Sequence, residues 1–352
     1  MHKDMRLKYL FIALTIAIAA QAQTNNVLKK KLYVPKAGTL IELLTEEEAN
    51  QITHLTLNGK LNAIDFRHLR DDFKRLQEID LSGASIATYT GKLGTNFDRF
   101  LIYPANHIPA YAFCRKDSSE AYHGKKTLKK IILPEKIKAI DDYAFKGCSN
   151  LLTCQINKRN VPILTQEALN DSTTAIFVPH GSDNTYRSKE KWKGFAIING
   201  NPTILHLNID NQSSLINELA IRGLQPHEIN ILTIEGKLDE ADFLLIRDYM
   251  PNLTSIDIKH SNATEIPEYT FTQKKFLLRI ELPNQLNKIC QRAFSGCVRL
   301  SGDIILPASV TAIEFGAFMD CERLKKVIAT GKRITTLGDK IFGEEESKLS
   351  YQ

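Results

Sequence analysis

Apolar residues return along this chain at fixed offsets. From Ile280 to Leu300 the sequence reads IELPNQLNKICQRAFSGCVRL, and from Ile304 to Leu324 it reads IILPASVTAIEFGAFMDCERL. Both carry I-x-L-P, then Ile, then Ala-Phe, Cys and Leu. An aliphatic residue five before an aromatic or leucine marks each unit: Ile108/Phe113, Ile140/Phe145, Leu164/Leu169, Ile266/Phe271, Ile289/Phe294, Ile313/Phe318 and Leu337/Phe342. The interval is 23 or 24 residues wherever no insertion intervenes. A period in the twenties predicts a solenoid, in which each coil buries its apolar positions against its neighbours. In each I-x-L-P segment, residues such as Ile280 and Leu282 point inward from a short strand while Arg279 and Glu281 point out. Pro283 then ends the strand, because it has no N–H for a parallel ladder. Ile289 and Phe294 fill the core from the far side, and Leu300 leads back. Where Leu300 lies four before Ile304, instead of three as Leu277 lies before Ile280, one added residue lengthens the coil.

A larger repeat lies over this one. At a constant offset of 177, Leu57, Gly59, Lys60, Leu61, Asp65, Phe66, Arg70, Asp71, Leu76, Ile79 and Asp80 meet Ile234, Gly236, Lys237, Leu238, Asp242, Phe243, Arg247, Asp248, Leu253, Ile256 and Asp257. The chain is an internal duplication. Each copy reads as strand, glycine turn, helix, strand, with Asp65 or Asp242 as the expected N-cap and Phe66, Leu69, Phe73 and Leu76 on one helical face. Such a module lids the open end of a solenoid, whose terminal coil otherwise exposes its core. The stretch AIFVPHGSDNTYRSKEKWKGFAIING (175–200) predicts a strand, a turn, a helical segment carrying Tyr186 and Trp192, and a last strand, together covering the first copy's final coil. The second copy lacks this cassette and stops in GEEESKLSYQ, which leaves its last coil poorly covered. A boundary is expected near Gly200-Asn201-Pro202.

The I/L-x-L-P, I-x4-F, F-x-x-C and following-Leu pattern resembles the BspA-type leucine-rich repeats of surface and secreted proteins from Bacteroidetes and spirochaetes. The likeness covers about 100–170 and 262–343, and the flanking segments 38–87, 213–261 and 175–200 also resemble segments of that family. The resemblance implies an α/β repeat solenoid with two leucine-rich-repeat arms of short parallel strands, each with an N-terminal strand-helix-strand cap. The expected organisation is a signal peptide at 1–22, a linker at 23–37, a first repeat domain at 38–200 with a Tyr/Trp cap, and a second at 201–352. It also implies an exported adhesion or binding role, toward an extracellular or cell-surface protein, a host matrix protein or a glycan, without shared binding residues.

The start of the chain supports export. Lys3, Arg6 and Lys8 precede the apolar run YLFIALTIAIAA, which leads to Ala20-Gln21-Ala22, a small-x-small cleavage pattern. The run is too short to span about 30 Å of hydrocarbon, and no Cys follows Ala22 to carry a lipid. Removing this segment takes +2 from a net charge of +6 and leaves the mature chain near +4, mildly basic with mixed signs and without a nucleic-acid signature. Of six cysteines, Cys148, Cys297 and Cys321 each lie three residues after a Phe and belong to the repeat. They read as small buried side chains at a turn, although Cys297 and Cys321 in adjacent coils also fall within disulfide reach.

Candidate chemistry is sparse. No G-x-S-x-G, H-E-x-x-H, Walker loop or G-x-G-x-x-G is present. His68 with Asp65 and Asp72 is the one cluster at helical spacing, and the second copy has Leu245 in place of His68. No cofactor or metal is implied. The repeat positions leave Lys130, Ile132, Arg279, Glu281, Asp303, Ile305, Lys326 and Ile328 on the open face of the sheet. Apolar anchors interrupted by mixed charge suit protein binding, so this row is the candidate ligand-binding face of a non-enzymatic recognition protein. Two insertions of the first copy compete with it: residues 87–107, and RKDSSEAYHGKK. The alternative function is an accessory subunit or an enzyme with a dispersed site.

Overall fold

The computed structural model describes residues 27–96, 99–331, 334–344 and 347–352. The expected signal peptide lies outside the described residues.

One short strand per coil builds a long parallel sheet. Its order is Lys29–Val34, His54–Leu61, Glu78–Asp80, Lys130–Ile132, Thr153–Gln155, Ala175–Val178 and Ala196–Asn199, with Ala84–Ile86 beside the end of the second strand. Across the coil, the two-residue strands His107–Ile108, Ala139–Ile140 and Ile163–Leu164 form a narrow second sheet. The core lies between them. Residues 203–352 repeat the plan, with Thr203–Ile209, Ile229–Gly236, Ser255–Asp257 and Arg279–Glu281 on one side and four two-residue strands from Glu265 to Leu337 on the other. The next strands, Gly302–Leu306, Leu324–Ala329 and Leu349–Tyr351, form a separate sheet. The break falls between Glu281 and Gly302, in the coil lengthened by one residue, and within the separate sheet the pairing shifts between Gly302 and Asp303, passing over Lys325.

Residues 29–34 are a strand rather than part of a linker. Lys30, Leu32 and Val34 pair with Leu55, Leu57 and Gly59, so the KKKLYV alternation buries Val34 and turns Lys29, Lys31 and Tyr33 outward. Each copy therefore opens one strand earlier than the repeat alone shows, with Thr203–Ile209 in the same place in the second. Helix α1 (Glu46–Gln51) follows the first strand, and helix α2 (Ala63–Asp71) follows the second. Helix α3 (Asp183–Arg187) belongs to the Tyr/Trp segment, and helices α4 (Leu215–Ile221) and α5 (Glu240–Tyr249) belong to the second copy.

The N-caps of α2 and α5 are Asn62 and Asp239, not Asp65 and Asp242. The aspartates sit three residues in and close capping boxes by accepting the N-cap N–H. Burial favours this position because their spare oxygens tie down the preceding segment: Asp65 accepts from Gly38 and Leu40, and Asp242 from Leu215. A buried carboxylate must find such donors.

The repeat phenylalanines stack from coil to coil. Ring centroids are 5.1 Å apart for Phe113/Phe145, Phe271/Phe294 and Phe294/Phe318, close to the spacing of the strands that carry them. Two residues before each Phe the backbone is left-handed, at Tyr111, Tyr143, Tyr269, Arg292, Gly316 and Lys340. Only one of these is glycine, so the neighbouring coils hold side chains in a conformation they rarely adopt. All six cysteines are buried thiols. Those of the repeat donate to the Phe carbonyl one coil back: Cys148 to Phe113, Cys297 to Phe271, Cys321 to Phe294.

Two main apolar clusters result, one from Val34 to Ile197 and one from Leu205 to Phe342. We propose that they mark two domains meeting between Asn199 and Thr203. At the end of the first cluster Tyr186 and Trp192 are fully buried, Tyr186 Oη donating to Lys158 O and Trp192 Nε1 to Pro162 O. At the end of the second, Leu349–Tyr351 pairs with Leu324–Ala329 and supplies cover that the composition of the tail does not suggest. The two halves also touch. Phe276 and Leu278 pack on Ala175, Phe177, Ala196 and Ile198, flanked by Arg299 to Gly194 O and an Arg323–Asp171 pair at 3.2 Å.

Candidate functional site

Alternation along the first sheet sets two rows on its open face. Lys29, His54, Glu78, Lys130 and Thr153 are in register, and so are Lys31, Thr56, Asp80, Ile132 and Gln155. The first four strands enclose a cleft of about 410 Å³, lined by both rows from Lys29 to Ile132. Beyond it the face closes. Thr153 and Gln155 are buried, and the open faces of the last two strands carry the Phe276–Leu278 contact.

The charges in the cleft are unevenly matched. His54 Nε2 lies 3.5 Å from Glu78, and Asp80 accepts the Ser82 N–H at 2.8 Å. Lys29, Lys31 and Lys130 make no ion pair among the described residues. Partly exposed Ile132 lies beside them. A surface of this kind holds free cations on its first and fourth strands, an acidic strand between them and one apolar anchor.

The expected row of eight residues is divided. Lys130 and Ile132 belong to the cleft. Arg279 and Glu281 pair with each other at 2.6 Å, and Arg279 Nη1 also donates to Asn150 at 3.3 Å, bridging the two halves. Asp303, Ile305 and Lys326 are exposed on the separate three-stranded sheet. Ile328 is not open: only 8% of it reaches solvent, between Ile305 and Ser350 in register on the neighbouring strands. Lys29, Lys31, His54, Glu78 and Asp80 were hidden from the repeat-based reading because they lie before the first recognisable coil. Their signal in the sequence is the polar–apolar alternation of HLTL and EID, whereas KKKLYV alternates only in its burial.

The second copy does not reproduce the cleft. At the 177-residue offset His54 and Glu78 become Ile231 and Ser255, while the core positions Leu57, Phe66 and Ile79 remain Ile234, Phe243 and Ile256. The core is kept and the open face is changed. His68, in the cluster at helical spacing, pairs with Asp72 at 2.5 Å, whereas Asp65 is turned to backbone N–H groups. Among the described residues no group of three or more His, Cys, Asp or Glu is placed to hold a metal, and no helix is long and apolar enough to cross a membrane.

Comparison with known proteins agrees with the repeat. The family described as "BspA type Leucine rich repeat region" matches in six copies over residues 108–186 and 247–351, just over half the chain. Curated proteins give no match. Among solved structures, a leucine-rich repeat protein from Bacteroides ovatus ATCC 8483 aligns at 13% identity over 86% of this chain and 84% of its own, with a TM-score of 0.28. A leucine rich cell surface protein from Faecalibacterium prausnitzii A2-165 aligns at 12% identity over 86% and 79%, with a TM-score of 0.21. The matched repeats are the coils whose strands, Phe stack and Cys turns are described above, and by them this chain belongs to the BspA-type leucine-rich repeat family.

Proposed function

We propose that this protein is a non-enzymatic, exported recognition or adhesion protein that takes a protein partner in the cleft on the open face of its first sheet. The carrying observation is the cleft itself: three lysines without ion pairs, two acidic side chains and Ile132, on a face whose counterpart in the second copy has Ser255 at the place of Glu78 and Ile231 at that of His54. Apolar contact at Ile132 supplies affinity, and the lysines orient a partner of complementary charge. Asp303, Ile305 and Lys326 offer a second contact area on the other half. The test is capture of cell-surface and matrix proteins by the tagged mature chain. Lys29→Glu, Lys31→Glu and Lys130→Glu together are expected to release the captured partner, and added salt to weaken the parent interaction. Equal capture by the parent and the triple variant overturns the reading.

A further inference from the structure

The two insertions of the first copy, joined by the short stretch 108–114, wall one cleft of about 370 Å³ whose lining includes Asn96, Arg99, Arg115, Asp117, Ser118 and Glu120. Arg70 organises it from below. Its Nη1 donates to the carbonyls of Thr95, Tyr111 and Cys114 at 2.7, 3.0 and 3.1 Å, while Nε and Nη2 hold Asp71. Only 6% of the Arg70 side chain is exposed. Arg247, at the same place in the duplicated helix, makes the same pair with Asp248 but stays 36% exposed, because the second copy has neither insertion. The cleft is an addition to the first half alone.

Its charges are mixed: Arg99 comes from the first insertion, and Arg115, Lys116, Asp117 and Glu120 all come from the second. Asp117 accepts from Ser119, Ala121 and His123, which hold its carboxyl well below the usual range, and Lys116 pairs with Glu120 at 3.1 Å. Arg99 and Arg115 make no ion pair among the described residues, Asp71 being already held by Arg70. Two free guanidinium groups recognise one carboxylate or sulfate, by parallel N–H donors. Asp117 and Glu120, on the same insertion as Arg115, would repel a second negative charge on the ligand and accept hydroxyl donors instead, with Ser118 between them and Asn96 on the other insertion. A ligand with one anionic group and many hydroxyls suits this mixed lining, whereas a polyphosphate or a run of acidic residues does not.

We propose that this cleft binds a singly anionic sugar unit, a hexuronate, with its carboxylate on Arg99 and Arg115 and its hydroxyls toward Asn96, Ser118 and Glu120. The site is distinct from the sheet cleft and stands without it. The experiment is calorimetric titration of the mature chain at low salt with D-glucuronate and its disaccharide, against D-glucose, acetate and a tetraglutamate peptide. The glucuronate probes are expected to bind, with glucose, which lacks the carboxylate, and acetate, which lacks the hydroxyls, each weaker by about tenfold or more. Arg99→Ala with Arg115→Ala should lower glucuronate affinity by about tenfold or more without moving the melting temperature, both side chains being exposed. Lys29→Glu should leave it unchanged. No glucuronate binding, equal binding by the double variant, equal binding of glucose, or tighter binding of tetraglutamate each overturns the proposal.

Discussion

The ammonium nitrogen of Lys274 lies 3.0 Å from the carbonyl oxygen of Met250, at the end of helix α5, and it also donates to Ile246 and Arg247. Lys274 occupies the place, three residues after Phe271, that Cys297 and Cys321 occupy after Phe294 and Phe318. The exchange has a physical reason. In a middle coil the residue faces one Phe carbonyl, which a thiol serves, whereas the first coil faces a helix end with several unpaired carbonyls, which a lysine nitrogen with its several N–H donors can serve together. Lys125 does the same in the first half, donating to Arg70 O and Phe73 O.

Replacing Lys274 by Met is expected to cost about 1–3 kcal/mol, the range for leaving buried acceptors without donors. Cys297→Ala removes one weak donor and a small volume, and should cost less. Urea unfolding of the two variants compares them.

Burial pushes Lys125 and Lys274 down to about 8. Both keep their proton at pH 7, but between about pH 8 and the unfolded value near 10.4 the unfolded chain binds more protons than the folded one. These two groups therefore make stability rise with pH across that window. Chemical unfolding at pH 7.5, 8.5 and 9.5 should show that rise, and Lys125→Met with Lys274→Met should flatten it.

Phe145, Phe294 and Phe318 have almost no solvent exposure and stack on their neighbours. Each change to Ala is expected to cost about 3–5 kcal/mol. Lys130→Ala and Lys326→Ala should stay within about 0.5 kcal/mol of the parent. Similar melting shifts for the two sets would refute the assignment of inward and outward positions.

Phe276 and Leu278 hold the second half against the last strands of the first. Phe276→Asp with Leu278→Asp should loosen this contact, raising the radius of gyration in small-angle scattering while circular dichroism stays unchanged. An unchanged radius would show that the flanking polar contacts suffice.

The sequence by itself determined the coil. Ile, Leu and Phe at fixed offsets have one use, burial against the same residues a coil away, and the I-x-L-P strands, the Phe stack and the buried repeat cysteines follow from that local rule. The duplication and the aromatic cover of the first half were legible for the same reason, as pattern repeated within one chain. What only the tertiary structure decided rests on residues distant in sequence or outside the repeat. Lys29 and Lys31 join Lys130 because parallel pairing carries register across four strands; the two insertions wall one cleft over Arg70, unremarkable in its helix, which donates to Thr95 O in the first insertion and to Tyr111 O and Cys114 O in the stretch that joins the two. Arg279 pointed outward as alternation required, but whether that direction led to solvent or to Asn150 depended on how the two halves pack, which periodicity within a coil does not encode.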